Sequence, residues 1–358
     1  MLKVYKIEIL IFLLFVSLLL YFFMYFKFNE ILHAPSFMRN VAVKLAPHAD
    51  ERHFESIKKI IRLENTGLEI KPPANTTLTP STIRISNLYS VSLKTYVQAI
   101  IDRSLSIQSK HGFIFLQMMN SAFLLHTKSW LCNVKNQNEV LQRLILIATD
   151  DHAFKQLKAF NVKVLHLFLL PYESLDLEYG LRSYYEYVLF RISLTNKILN
   201  AGVSVWICEA DAVWFESPIK YLTEFTEKDI VVQQDGLINQ NMPCGGFIFL
   251  NKTKPTKRMW RELEKRVTTV LNSLTDVEVG DEGNEQLMLP ILLSEFRVKW
   301  AFFSRTKFVS GHWYTNELFR KQVHPVVIQN NWIKGNEAKI LRAKYWDHWY
   351  LNKNETCL

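Results

Sequence analysis

From residue 90 onward, short apolar runs alternate with amphipathic stretches. The apolar runs are four to six residues long and predict buried strands, whereas apolar residues that recur every three or four positions predict helices. Strands are predicted at residues 113–116, 144–148, 162–167, 203–208, 229–233 and 246–250, and helices at 91–105, 121–133, 181–199, 256–274 and 284–295. Strands separated by helices indicate an α/β fold with ligands bound beyond the carboxyl ends of the strands.

The first 88 residues have a different pattern. Ile9–Phe26 is an uncharged apolar run, long enough to cross a bilayer as one helix, and two lysines precede it. This favours a single-pass type II arrangement in a thin membrane of the early secretory pathway. A cleaved signal peptide is the alternative, although the bulky end of the run is not typical of a cleavage site. The predicted divisions are a cytoplasmic tail at 1–8, a signal anchor at 9–26, a stem at 27–88 and a luminal domain at 89–358.

Sequons and cysteines fit a luminal domain. Acceptor sequons for N-glycosylation begin at Asn75, Asn251 and Asn354. The four cysteines lack zinc-ligand spacing, and in an oxidising lumen they allow three full pairings. Cys208 lies in an apolar run beside Glu209, so we expect it to be a buried free thiol.

The net charge adds little to this assignment. The formal charge is +9 and the pI is about 9.2, but the basic residues are dispersed along the chain. A nucleic-acid-binding protein would show a basic stripe or patch, so we expect no nucleic-acid partner. Mild basicity suits an acidic or diphosphate-bearing substrate.

Glu209 and Asp211 follow the apolar run 203–208 and are flanked by more apolar residues. If the strand continues through them, both side chains fall on one face, because strand side chains alternate. Two carboxylates at the end of a strand suit a hard dication such as Mg²⁺ or Mn²⁺. The alternative is a strand cap whose acids bond backbone amides in a turn.

Several blocks in order resemble the nucleotide-diphospho-sugar transferases of glycosyltransferase family 77, over residues 110–352. The blocks are 113–123, 144–151, the metal-motif block 202–218, 234–236, 244–250, 285–289 and the closing block 325–335. The resemblance implies a GT-A fold with a mixed central sheet, a nucleotide-sugar donor such as a UDP-sugar, a luminal glycan or glycoprotein acceptor, Mn²⁺ or Mg²⁺ as cofactor, and retention of anomeric configuration.

The resemblance also implies roles for individual residues. Asp211, Glu285 and Gln286 are the catalytic candidates, with Gln286 facing the anomeric carbon or the acceptor. Glu209, Asp211 and Gln329 are the candidate metal ligands. Candidates for binding the donor are Asn120, Asp150, Arg191, Asp235, Gly245, Gly246, Asn331 and Lys334, and Lys339 is a further candidate diphosphate contact. Turn chemistry is the alternative for Asp150, a solvated helix arginine for Arg191, and a helix-start residue bonding backbone for Gln286.

Two departures from the family pattern bear on function. The family has Asp where this chain has Glu209, and it often has a metal-binding His where this chain has Gln329. His312 and His324 lie nearby in sequence as candidate replacements. These departures leave two hypotheses: a metal-dependent glycosyltransferase, or a catalytically inactive relative that binds glycans or partner proteins.

Overall fold

A computed structural model describes residues 91–158, 160, 163–166, 177–236, 242–274 and 279–358. The predicted tail, anchor and stem lie outside these residues, as does the sequon at Asn75. Within the described ranges, no helix is both long enough and apolar enough to cross a membrane.

Helices and strands alternate through most of the described chain. The helices are α1 Val91–His111, α2 Leu124–Asn133, α3 Asn138–Leu141, α4 Asp151–Leu157, α5 Arg182–Asn200, α6 Ile219–Leu222, α7 Lys254–Ser273, α8 Glu285–Glu295, α9 His312–Thr315, α10 Glu317–Gln322 and α11 Asn336–Tyr345. The strands are β1 Ile114–Met119, β2 Leu144–Ala148, β3 Val164–His166, β4 Val205–Ile207, β5 Ala212–Trp214, β6 Ile230–Asp235, β7 Met242–Leu250, β8 Trp300–Phe302, β9 Phe308–Val309 and β10 Val327–Gln329.

The central sheet has seven strands in the order β3-β2-β1-β4-β7-β6-β8. Neighbouring strands are parallel except that β7 runs antiparallel to both β4 and β6. The sheet is therefore mixed, as expected, and the carboxyl ends of β1, β2, β4 and β6 share one edge with the amino end of β7.

A second sheet, which the sequence did not predict, contains β5, β10 and β9 in that order. Strand β10 is antiparallel to β5 and parallel to β9. Trp214, Phe308 and Val327 of this small sheet pack into the same core cluster as Phe115 and Trp206 of the central sheet. The small sheet thereby brings the closing block next to the metal-motif block.

The two faces of the central sheet have different cores. The first face is mostly aliphatic and packs against α1, α5, α7 and α8, with Ile192 and Leu263 among its buried residues. The opposite face is rich in aromatic rings, and Trp206 stacks on Phe303 with centroids 5.2 Å apart and 5° between the ring planes. Large aromatic residues bury much apolar area and hold a fixed geometry, so this face gives the strand ends a rigid support.

The observed elements match most of the predicted ones. Strand β2 has the predicted bounds, whereas β1 extends to Met119 and β7 already begins at Met242. One expectation about the metal-motif block was wrong, because β4 ends at Ile207 and a turn at Ala210–Asp211 leads into β5. The chain must reverse there for β5 to pair with β10, so Glu209 and Asp211 do not extend one strand.

The cysteines form one disulfide in the described chain. Cys132 at the end of α2 is bonded to Cys357, which lies 225 positions later. Cys208 and Cys244 are free and buried, which confirms the expectation for Cys208.

Candidate functional site

Polar side chains gather where the parallel strands of the central sheet end. Asn120 follows β1, Asp150 follows β2, Glu209 follows β4 and Asp235 ends β6. Gly245 lies near the start of the antiparallel strand β7, at the same edge. This is the edge at which open α/β sheets bind their ligands.

Arg191 of α5 lies between two carboxylates. Its Nη1 donates to Glu209 Oε1 at 2.9 Å and its Nη2 to Glu285 Oε1 at 3.2 Å. The side chains of Arg191 and Glu285 are 13% and 8% exposed, whereas that of Glu209 is 39% exposed. Burial alone would lower the pKa of Arg191, but the two carboxylates hold that pKa above its usual value. We call these three residues the Arg191 cluster.

Two glycines of β7 allow this cluster to approach the backbone. A Cβ atom on Gly245 would lie 2.7 Å from Glu285 Oε1, and one on Gly246 would overlap the carboxylate of Glu209. Both positions therefore exclude any larger side chain unless the carboxylate moves. The groups that make this close approach are side chains of the chain itself, and contact of the glycines with a donor stays a prediction.

Asp235 accepts four hydrogen bonds. Its Oδ1 receives Trp332 Nε1 at 2.8 Å, Asn331 Nδ2 at 3.3 Å and the backbone N–H of Gly236 at 2.9 Å. Its Oδ2 receives Gln286 Nε2 at 3.2 Å. The carboxylate thereby joins the closing block to the start of α8.

Both polar atoms of the Gln286 side-chain amide form hydrogen bonds. Its Oε1 accepts from the backbone N–H of Gly245 at 3.0 Å, while its Nε2 donates to Asp235. Asn284 caps α8 by accepting from the Gln286 backbone N–H at 3.0 Å. Gln286 therefore bonds backbone, as the alternative interpretation proposed, but it also lies within a polar network at the strand edge.

Asp211 is paired with a different cation. Lys339 Nζ of α11 donates to Asp211 Oδ2 at 2.6 Å, and the two side chains are 19% and 4% exposed. Burial alone would raise the pKa of Asp211, but the Lys339 ammonium holds that pKa below its usual value. Conversely, Asp211 raises the pKa of Lys339 against the effect of burial.

Asn330 and Arg342 fix this pair in place. The backbone N–H of Asn330 donates to the carbonyl of Asp211 at 3.1 Å, and Asn330 Nδ2 donates to the carbonyl of Lys339 at 2.9 Å. Arg342 Nε donates to Asn330 Oδ1 at 2.7 Å. We call Asp211, Asn330, Lys339 and Arg342 the Lys339 cluster.

The second carboxylate oxygen of Asp211 faces the protein interior. Asp211 Oδ1 and His126 Nε2 are both buried and find no hydrogen-bond partner among the described residues. Their side chains line one small cavity of about 10 Å³, together with Tyr314 and His348. Burial lowers the pKa of His126 to about 4, so this imidazole is neutral at pH 7.

The Mn²⁺ or Mg²⁺ site expected from Glu209, Asp211 and Gln329 does not fit these positions. Each acid already binds a cation of the chain. Gln329 lies on the face of β10 that carries Val327 and is 1% exposed, and within the described part of the chain neither polar atom of its side chain has a partner. In the described ranges, no three His, Cys, Asp or Glu side chains gather to hold a metal ion. At Glu209 Oε1 and Asp211 Oδ2, a dication would compete with Arg191 and Lys339.

The remaining predicted residues are more dispersed. Asp150 caps α4 through the N–H of Ala153 and also accepts from Ser121 N and Oγ, so turn chemistry uses both of its oxygens. Asn120 is buried at the end of β1. Lys334 is exposed and lies 5.7 Å from the Tyr179 ring centroid. Donor contacts by Asn120, Asp150 and Lys334 stay predictions.

The two candidate replacement histidines also take separate positions. The ring of His312 packs against that of Trp332, with centroids 5.2 Å apart, and burial lowers the pKa of His312. His324 is exposed after α10.

Sequence reasoning missed the pairing of Lys339 with Asp211 and gave no role to His126 or Arg342. The sequence did contain a signal for the proximity of Lys339 and Arg342. These residues are three positions apart, which is the spacing of neighbours on one face of a helix. No spacing could link this helix to an acid 128 positions earlier.

Comparison with known proteins places these residues in a family. A family model described as nucleotide-diphospho-sugar transferase matches residues 139–342. A beta-arabinofuranosyltransferase of Arabidopsis thaliana, RAY1, is 22% identical over 269 residues, which is 68% of this chain and 48% of that protein. The chain thus spans about half the length of that relative. The UDP-D-xylose:L-fucose alpha-1,3-D-xylosyltransferase MGP4 of the same plant is 23% identical over 305 residues, with 78% and 81% covered.

Solved structures give weaker matches. The glycosyltransferase GlyE of Streptococcus pneumoniae is 12% identical, with 67% of this chain and 60% of that chain covered, and the TM-score is 0.41. Mouse xyloside xylosyltransferase 1 is 11% identical, with 63% and 97% covered, and the TM-score is 0.35.

Proposed function

The chain belongs to the nucleotide-diphospho-sugar transferase family, and from this premise we propose that it transfers a sugar from a nucleoside diphosphate to a glycan or glycoprotein. One observation carries the proposal. The family match at residues 139–342 contains both the Arg191 cluster and the Lys339 cluster, which lie around the strand edge where α/β sheets bind ligands.

The reaction places definite demands on this edge. The bond between the anomeric carbon and the diphosphate oxygen breaks, and its electron pair stays on the diphosphate. A hydroxyl oxygen of the acceptor forms the new bond to the anomeric carbon and gives its proton to the departing diphosphate. Fixed cations near the leaving diphosphate stabilise the charge that develops there, and Arg191 and Lys339, whose side chains are 13% and 19% exposed, are cations of this edge.

The polar network around Asp235 suits the sugar and the acceptor. Gln286 and Asp235 present an amide and a carboxylate that hold each other in one orientation. Hydroxyl groups of a sugar bind well to such fixed polar groups, since little side-chain entropy remains to be lost. We assign Gln286 to the reacting face of the donor sugar, with retention of anomeric configuration.

Pentoses are the first donors to test. The relatives described above are named as an arabinofuranosyltransferase and a UDP-D-xylose-dependent xylosyltransferase. A UDP-pentose is therefore the leading donor, and a UDP-hexose is the second.

The lumen of the Golgi is the proposed compartment. The apolar run Ile9–Phe26 supports a signal anchor, and the Cys132–Cys357 disulfide suits an oxidising lumen. Asn354 is exposed and accessible to modification, whereas the Asn251 side chain accepts from Ser204 Oγ at 3.1 Å. A glycan at Asn354 in protein from a secretory host would support this compartment.

A donor panel tests the enzymatic proposal. The full-length chain in detergent is incubated with single UDP-pentoses and UDP-hexoses and a set of glycan acceptors, and released UDP and extended acceptor are measured. Equal amounts of both products are expected with one donor. Absence of both products with every donor and acceptor would contradict the enzymatic proposal.

A catalytically inactive, glycan-binding relative is the second candidate. It is favoured by the pairing of both acids of the metal motif with cations of the chain. Such a protein would bind the glycan acceptor and release no UDP from any donor.

A further inference from the structure

We propose that this protein binds its sugar nucleotide without a divalent cation, and that Lys339 and Arg191 supply the positive charge at the diphosphate. The inference rests on the proposed function, because it concerns how the same site meets the same donor. It departs from the family expectation of a Mn²⁺ or Mg²⁺ cofactor.

The first step concerns Glu209, the position at which the family has Asp. The longer side chain reaches Arg191 with Oε1 at 2.9 Å, and its carboxylate packs against Gly246 so closely that a Cβ there would overlap it. The carboxylate thus contacts a guanidinium on one side and the backbone of β7 on the other. Rotation toward a metal would break the ion pair and leave Arg191 with Glu285 alone.

The second step concerns Asp211, which has even less freedom. Its carboxylate is 4% exposed, with Lys339 on Oδ2 and the small cavity beside His126 on Oδ1. Removing the ammonium from a buried carboxylate is costly, so a dication at Oδ2 would replace a charge that the chain already provides.

The third step concerns the third ligand position, where the family often has His and this chain has Gln329. The Gln329 side chain is buried on the face of β10 that carries Val327, which belongs to the aromatic core. Each of the three ligand positions thus departs from a metal shell in its own way. The two carboxylates of the motif are therefore paired with cations of the chain and are not a free pair of metal ligands.

The fourth step concerns the charge available to a diphosphate. Around the strand edge, the acids are Asp150, Glu209, Asp211, Asp235 and Glu285, and the cations are Arg191, Arg305, Lys334, Lys339 and Arg342. The two signs are equal in number, so the edge lacks the excess of acids that would attract a dication, and its cations are fixed parts of the chain. An ammonium and a guanidinium both donate strong hydrogen bonds to phosphate oxygens.

Calorimetric titration of UDP tests the inference. The full-length chain in detergent is passed over a chelating resin and titrated with UDP, once in excess EDTA and once in excess Mn²⁺. The two affinities are expected to agree within about twofold. Binding that requires Mn²⁺, or is more than about tenfold tighter with it, would overturn the inference and leave the proposed function intact. Absence of UDP binding under both conditions would instead defeat the proposed function, and this inference with it.

Substitution of Lys339 tests its own contribution to UDP binding. In EDTA, Lys339→Met is expected to weaken UDP binding by about tenfold or more. Lys344→Met, on the exposed end of the same helix, is the matched control and should leave the affinity unchanged.

A double variant covers the case in which Lys339→Met does not fold. Asp211→Asn combined with Lys339→Met leaves no buried unpaired charge and should show the same loss of UDP affinity. Addition of Mn²⁺ should restore binding to the single variant, whose Asp211 carboxylate is free, but not to the double variant. Wild-type affinity of either variant in EDTA would overturn the role of Lys339.

Discussion

Glu209 and Asp211 are separated by one residue, but they bind different cations from different helices. Glu209 is 39% exposed and shares Arg191 of α5 with Glu285, whereas Asp211 is 4% exposed and binds Lys339 of α11. Salt bridges of exposed groups contribute little to stability, while a buried charge that loses its partner is strongly destabilising. The same sequence motif thus contains one partly exposed acid, whose ion pair contributes little to stability, and one buried acid, whose ion pair the fold depends on.

The largest effect on stability is expected when the charge of Lys339 is removed. Lys339→Met leaves the buried Asp211 carboxylate without its cation, and we expect the free energy of unfolding to fall by about 3–5 kcal/mol. Urea unfolding at pH 7 measures the change. Lys344→Met is the control and should change stability by less than about 0.5 kcal/mol. A loss that the added Asp211→Asn change does not relieve would contradict the account.

Two glycines test how rigid the surroundings of each acid are. A Cβ on Gly311 would meet the backbone carbonyl of Asn331 in the closing block, which cannot move alone. A Cβ on Gly246 would meet the flexible carboxylate of Glu209 instead. We expect Gly311→Ala to cost about 3 kcal/mol of stability and Gly246→Ala less than about 1 kcal/mol, in parallel urea titrations. Equal costs would mean that Glu209 is as rigidly held as the closing block.

Acidic pH should destabilise the fold because the buried His126, which lies beside Asp211, becomes protonated on unfolding. Burial lowers the pKa of His126 from 6.5 to about 4, so the unfolded chain binds more protons between these pH values. Stability is therefore lost as the pH falls through 6.5 toward 4, and at pH 5 the loss from this residue is about 2 kcal/mol. His126→Phe should remove that part of the difference between unfolding at pH 7 and at pH 5. The exposed His152→Gln should leave the difference as in the wild type.

The smallest effect on stability is expected from a substitution of the partly exposed Glu209. Glu209→Gln removes one charge of the Arg191 cluster but leaves Arg191 paired with Glu285. The free energy of unfolding should change by less than about 1 kcal/mol, as measured by thermal or urea unfolding. A larger loss would show that Glu209, despite its exposure, supports the fold as Asp211 does.

The sequence predicted the central sheet better than the site. Strand β2 was found to the residue because Leu144–Ala148 is a continuous apolar run that packs on both faces. The small sheet was missed because β5, β9 and β10 are two or three residues long, too short to show a period. That sheet is what sets the neighbours of Asp211.

The order of the blocks predicted which residues gather at the site, but it did not predict which of them form ion pairs. Local spacing suggested that Glu209 and Asp211 share one partner, whereas the turn before β5 sends them to Arg191 and Lys339. The Cys132–Cys357 bond, at a separation of 225 positions, was likewise one of several open pairings. Contacts at this range depend on the fold as a whole.

Hydrogen exchange with and without UDP tests most directly whether the donor binds between the two clusters. In metal-free buffer, UDP should slow exchange at backbone amides of residues 205–211, 230–236, 242–250 and 327–342. The separate groove beside the disulfide, lined by Lys128, Lys135 and Asn354, should be unaffected. Protection confined to that groove, or no protection at either place, would contradict the account.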